Sequence, residues 1–124
     1  MYVRDALEGK NAQLLDKSKL IKDIQGNIRI SELTPLMVAC MMSNMQTARI
    51  LVEEARLVYL PHSPEDFHMF INVRVGQSLG GNNAFLYACS NCNSADNEDQ
   101  ANYILVKYLI DEAGADPNIM NDSF

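Results

Sequence analysis

The sequence predicts an all-α fold, a solenoid of helix-turn-helix units stacked side by side, and three stretches carry that expectation. The first is Leu33-Thr34-Pro35-Leu36-Met37-Val38-Ala39-Cys40. Thr34 suits an N-cap, because its hydroxyl accepts an orphan backbone N–H of the first turn. Pro35 suits the first helical position, where its missing N–H costs nothing. Leu36, Ala39 and Cys40 then fall at i, i+3 and i+4, an apolar stripe whose small lower end lets another helix approach. The second stretch, Asn83-Ala84-Phe85-Leu86-Tyr87-Ala88-Cys89, repeats the large apolar residue and the Ala-Cys pair at identical spacing. The third is a helix end, Leu105 to Ile110 followed by Ala113-Gly114-Ala115-Asp116-Pro117-Asn118, with Gly114 placed as a left-handed C-cap residue and Pro117 beyond it.

A chain of 124 residues is one domain with room for a single core. Hydrophobic residues make up 48% and charged residues 21%, proportions of a globular rather than a disordered protein. No apolar run approaches the roughly 18 residues needed to span a membrane. Met1 to Glu8 is acidic and amphipathic, without the apolar centre of a signal sequence. Three cysteines without dense spacing argue against a secreted disulfide framework, so cytoplasmic or nuclear residence is expected. The net charge of −6 is unevenly spread. Residues 1–95 hold nine acids and nine bases and sum to zero; residues 96–124 hold seven acids against Lys107 alone. That end repels a phosphate backbone and no basic stripe stands elsewhere, which excludes nucleic acid as the expected partner.

Thr-Pro-Leu-x-x-Ala-small, at Thr34 to Cys40, closely resembles the opening of an ankyrin repeat, usually Thr-Pro-Leu-His-x-Ala. The Gly-Ala-Asp-x-Asn ending at Gly114 to Asn118 is similar to the close of one. The resemblance implies one ankyrin-type domain over 1–124. A degenerate repeat occupies about 1–32, since Ala6, Asn11 and Leu15 stand one 33-residue period before Ala39, Asn44 and Ala48. Its first helix is expected to end near Glu8 and its second to run from Ala12 to Leu20. Ile21 to Glu32 follows as a hairpin-like finger with a short strand at Ile28-Arg29-Ile30. The clear repeat is 33–56, with one helix from Pro35 to about Met42 and a second from Gln46 to Ala55. Ser43-Asn44 stands where the family has Gly-His, and Met37 replaces its His.

Residues 57–82 form an insertion. Ala39 and Ala88 lie 49 residues apart, 16 more than the period. Ser63-Pro64-Glu65-Asp66 is expected to begin a short helix, and Ile71, Val73 and Val75 alternate as a strand does. Gly76 to Asn82 is too rich in Gly and Asn to be regular. So apolar an insertion is expected to lie on the solenoid. The last repeat spans 83–118, with an internal insertion at 91–99 and a second helix from Gln100 to Ala113. Residues 119–124 have the composition of a further finger. An uncapped last unit exposes apolar surface, so a longer array or self-association through this end is expected.

Several clusters invite chemical readings, and blander ones outweigh them. Cys89-Ser90-Asn91-Cys92 has the spacing of a zinc half-site, but Cys89 repeats the position of Cys40, where a small core side chain is wanted. Zinc needs two more ligands, and Cys40, His62 and His68 are the candidates by type. His62 and His68 flank Glu65 and Asp66 without any nucleophile motif, as surface polar residues do. Asp96-Asn97-Glu98-Asp99 lacks the order and distal Glu of a calcium loop. Gly76 to Gly81 has no Lys-Ser/Thr and is no phosphate cradle. Met37, Met41, Met42 and Met45 cluster at one helix turn, as core filler or as an adaptable partner-facing patch.

The expected function is therefore a protein–protein interaction module, not an enzyme, with no cofactor and no metal. The resemblance places the partner, a protein or peptide, in a concave groove of fingers and first helices, at Leu33, Met37, Met41, Met42, Leu86 and Ser90. The acidic loop with Asp96, Glu98 and Asp99 would steer a basic partner. Two rivals are a regulatory or structural ankyrin segment of a larger enzyme or channel, and a metal-binding protein using Cys89 and Cys92.

Overall fold

The computed structural model describes residues 14–90, 98–120 and 122, with residues 98–102 as backbone only. Its elements run in the order β1 (Leu20–Lys22), β2 (Ile28–Ile30), α1 (Pro35–Met41), α2 (Met45–Tyr59), α3 (Pro64–Asn72), β3 (Arg74–Val75), α4 (Ala84–Ser90) and α5 (Glu98–Asp111). α1 and α2 pack as one pair, α4 and α5 as another. α1 packs on α4 and α2 packs on α5, so like stacks against like. Leu36 of α1 and Phe85 of α4 are both buried in the single core between these pairs.

The helix starts explain themselves locally. The Thr34 hydroxyl accepts the Met37 N–H at 3.2 Å, and the Met37 sulfur accepts the Thr34 N–H at 3.4 Å. This is a capping box in which a thioether, a weak acceptor, stands where Glu or Gln is usual. In α4 the Thr-Pro opening is missing, yet Asn83 does the same work: its side-chain oxygen accepts the Leu86 N–H at 2.9 Å. The turn between α1 and α2 holds Ser43 at φ +54°, the left-handed conformation that glycine takes more cheaply. Asn44 then caps α2 through the Thr47 N–H, at 3.0 Å. Gly114, at φ +76°, closes the last pair, and the Ala115 N–H reaches back to the Leu109 carbonyl at 2.9 Å.

Four expectations need correcting. The fold is not purely all-α: β1, β2 and β3 form a three-stranded sheet, with β1–β2 antiparallel and β2–β3 parallel. The second helix of the first repeat does not reach Leu20. Asp16 accepts the Ser18 N–H and hydroxyl, winding Lys17–Lys19 into a 3-10 turn that feeds β1. Leu14 and Leu15 form a bend rather than a helix, while Ala12, Gln13 and the expected helix before them lie outside the described residues. α2 runs past Ala55 to Tyr59, because nothing breaks it before Pro61. In the insertion, Ile71 belongs to α3 and not to a strand. Phe67, Phe70 and Ile71 share a helical face packed against the core, and this packing outweighs the two-residue alternation that follows. α3 rests on α2 and on α4, and Phe70 lies 6.3 Å from the Tyr59 ring.

Candidate functional site

The exposed side of α1 carries three of the residues expected to meet a partner, Leu33, Met41 and Met42. Pro35, Val38 and Met42 follow at i, i+3 and i+7, so they line one side of the helix. With Ala39, Asn44, Thr47 and Leu51 they border a cavity of about 360 Å³ between α1 and α2. Met42 is 73% exposed at its rim, and Leu33 and Met41 are exposed beside the same helix. Met37 is not available there. At 1% exposure it is core, turned inward by the capping bond to Thr34, which corrects its expected place in the groove. Leu86 is half-buried against the core, and Ser90 is exposed with its hydroxyl donating to the Tyr87 carbonyl at 2.8 Å. Asp96 lies outside the described residues, as do the side chains of Glu98 and Asp99.

Among the exposed apolar residues that a reading based on helical stripes misses, two stand next to this surface or on the finger. Val38 is one; its signal was the i, i+4 relation to Met42. Ile24 is the other, 91% exposed at the tip of the β1–β2 hairpin. That tip is rigid. The Asp23 carboxylate accepts the Gln25 and Asn27 N–H groups, each at 2.9 Å, and the Arg29 Nε–H at 2.9 Å. The Asp-x-x-Gly-Asn spacing from Asp23 to Asn27 was the available signal for this turn. A second cavity of about 500 Å³ lies beside the finger, bordered by Asn27, Ile28, Val73, Arg74 and Met120 among others.

Charge at the fingers is concentrated on Arg29, only 3% exposed. Its Nη1 and Nη2 meet the two oxygens of Asp122 at 3.0 and 3.1 Å, and Nη1 also donates to the Val75 carbonyl at 3.2 Å. Arg74, the cross-strand neighbour of Arg29, donates to Asp122 at 3.0 Å and to the Gly81 carbonyl at 2.8 Å. Burial alone would lower the pKa of Arg29, but hydrogen bonds to Asp122 and Asp23 outweigh it and raise it. Burial likewise works to raise the Asp23 carboxyl, and the hydrogen bonds from Asn27, Arg29 and Gln25 overcome it, holding the group below its usual range. A depressed folded pKa favours the native state above the ordinary carboxylate value of about 3.9, and that contribution is lost as pH falls through the folded pKa. Urea melts between pH 7 and 3 are expected to show stability falling below about pH 4. Asp23→Asn flattens this acid slope.

Among the described residues, the cysteines and histidines assemble no cluster placed to hold a metal ion. Burial, and then the neighbouring Cys89, push the Cys40 thiol up to about 12, an inert core group. Cys92 lies outside the described residues, and among the described residues no three His, Cys, Asp or Glu side chains are placed to hold a metal ion. In the His62–His68 segment, Asp66 pairs with Lys17 at 2.7 Å and His68 Nδ1 lies 3.4 Å from the Asn72 amide nitrogen. Among the described residues no helix is long and apolar enough to cross a membrane.

Compared with known proteins, the chain matches a family model for ankyrin repeats, in three copies, over residues 6–121. Neither the curated proteins nor the solved structures searched contain a significant match.

Proposed function

The chain belongs to the ankyrin-repeat family, and from that premise we propose that it binds a protein partner through the exposed side of α1 and the hairpin tip. Ankyrin repeats are in general protein–protein interaction modules, and the family is typically non-enzymatic. The observation that carries the proposal is the cavity lined by Pro35, Val38, Met42 and Leu51. It is apolar, sized for one large side chain, and edged by the adaptable thioether of Met42. Ile24 supplies a second anchor on a rigid support, which spares the ordering cost of a flexible loop. The fitting partner presents an apolar side chain within a basic segment, because the chain carries a net charge of −6. The acidic stretch with Asp96, Glu98 and Asp99 speeds its arrival.

The test is panning of a displayed peptide library on the full chain, followed by binding measurements with the selected peptide. Met42→Asp and Val38→Asp are expected to weaken binding at least tenfold, about 1.4 kcal/mol, with unchanged melting temperatures. Raising salt is expected to slow association. Binding indifferent to both substitutions would overturn the assignment of this face, and a salt-independent on-rate would remove the acidic stretch.

A further inference from the structure

The Arg29–Arg74 pair is more than a support for the fingers. Both guanidiniums are held in place without help from Asp122. Arg29 is fixed by Asp23 through Nε and by the Val75 carbonyl through Nη1, and Arg74 is fixed by the Gly81 carbonyl through Nε. Three N–H groups on two adjacent strands are thereby aimed at one place, and one carboxylate fills it. This is the fork geometry by which arginine reads a planar two-oxygen group.

The wall of this place is shaped for a chain carrying that carboxylate. Gly81 sits at φ +70°, and a Cβ there would collide with the Asp122 carboxylate and the Arg29 guanidinium. The Asp122 N–H donates to the Gly80 carbonyl at 3.0 Å, so the occupant is gripped by its main chain as well as its side chain. Asp122 itself is only partly enclosed, with 29% of its side chain exposed, whereas Arg29 beneath it has 3%. The floor is buried and the guest is not. With the guest absent, Arg29 and Arg74 outnumber Asp23 by one positive charge.

We propose that Arg29 and Arg74 form a carboxylate-binding cleft, that the chain's own Asp122 occupies it in cis, and that an aspartate on a partner segment replaces it in trans. This rests on the reading of the chain as a protein-binding module, and adds to it a second contact with opposite charge preference. The overall field draws in a basic segment, and the cleft accepts one that also carries a lone carboxylate. Discrimination of this kind combines attraction with a built-in exclusion. The cis occupant makes the cleft self-blocking, so a trans ligand binds only as far as it outcompetes the tethered one.

The experiment uses a fluorescent synthetic peptide of residues 117–124, Pro-Asn-Ile-Met-Asn-Asp-Ser-Phe, titrated into the 124-residue chain and read by anisotropy. Asp122→Ala is expected to bind it at least tenfold more tightly than the unaltered protein does. A peptide with Asn in place of its Asp is expected to lose that gain, as is the double variant Asp122→Ala with Arg74→Ala. Equal weak binding by both proteins, with Asp122→Ala melting cooperatively, would overturn the cleft and leave Asp122 as a structural tie alone. Should Asp122→Ala not fold, the unaltered protein answers instead. Excess peptide must shift its Asp122 backbone N–H resonance, which loses the Gly80 carbonyl on displacement, and an unmoved resonance overturns the proposal. Failure here leaves the α1 surface untouched, since library peptides sensitive to Met42→Asp test that face separately.

Discussion

Replacing Arg29 by alanine is expected to lower folding stability by about 3–5 kcal/mol, the range for stripping one partner from a buried ion pair. The substitution removes bonds to Asp23, Asp122 and the Val75 carbonyl together. Asp23, with 4% of its side chain exposed, then keeps its charge away from water with its cation gone. Asp122 is partly exposed and recovers some hydration, which places the value toward the lower end of that range. Urea denaturation at pH 7 measures the loss. Arg74→Ala is the companion variant, expected to cost much less because Arg74 is itself partly exposed. Equal effects for the two would show that burial of Arg29 is not what gives the cluster its weight.

Leu36→Ala is expected to cost about 2–5 kcal/mol, as large-to-small changes in tight cores do. Leu36 is fully buried in α1, which is held between α2 and α4, so two neighbours would have to collapse into the space at once. Val38→Ala, two residues along on the exposed side, is expected to stay within about 0.5 kcal/mol. Thermal or chemical melts of the two variants decide this directly. A small loss at Leu36 would mean that the two helix pairs do not share one core.

Much of the helical framework was legible because its signals are local. Thr34, Asn44 and Ser63 each cap the helix that follows through a bond to a residue three positions on. The recurrence of Ala-Cys after Leu36 and after Phe85 located both first helices, and Gly114 marked the last end. The sheet was only half legible, because strands of two or three residues show no dependable period. Met37 was misplaced because the family's groove geometry was carried over to it, while its side chain is buried and accepts the Thr34 N–H. The cation cluster was invisible for a different reason. Asp122 is 93 positions from Arg29, and no spacing rule reaches that far.

That separation bears on how the molecule comes together. In stacked arrays each unit answers only to its neighbours, so one end can fray while the other stays intact. Here the first finger is tied to a residue 93 positions along the chain, beyond the last described helix, so the first unit is coupled directly to one that is not its neighbour in sequence. Closing so long a loop adds little entropy cost beyond a shorter one, since that cost grows only with the logarithm of length. During synthesis, however, the guanidinium of the first finger waits for 93 further residues before its last partner arrives.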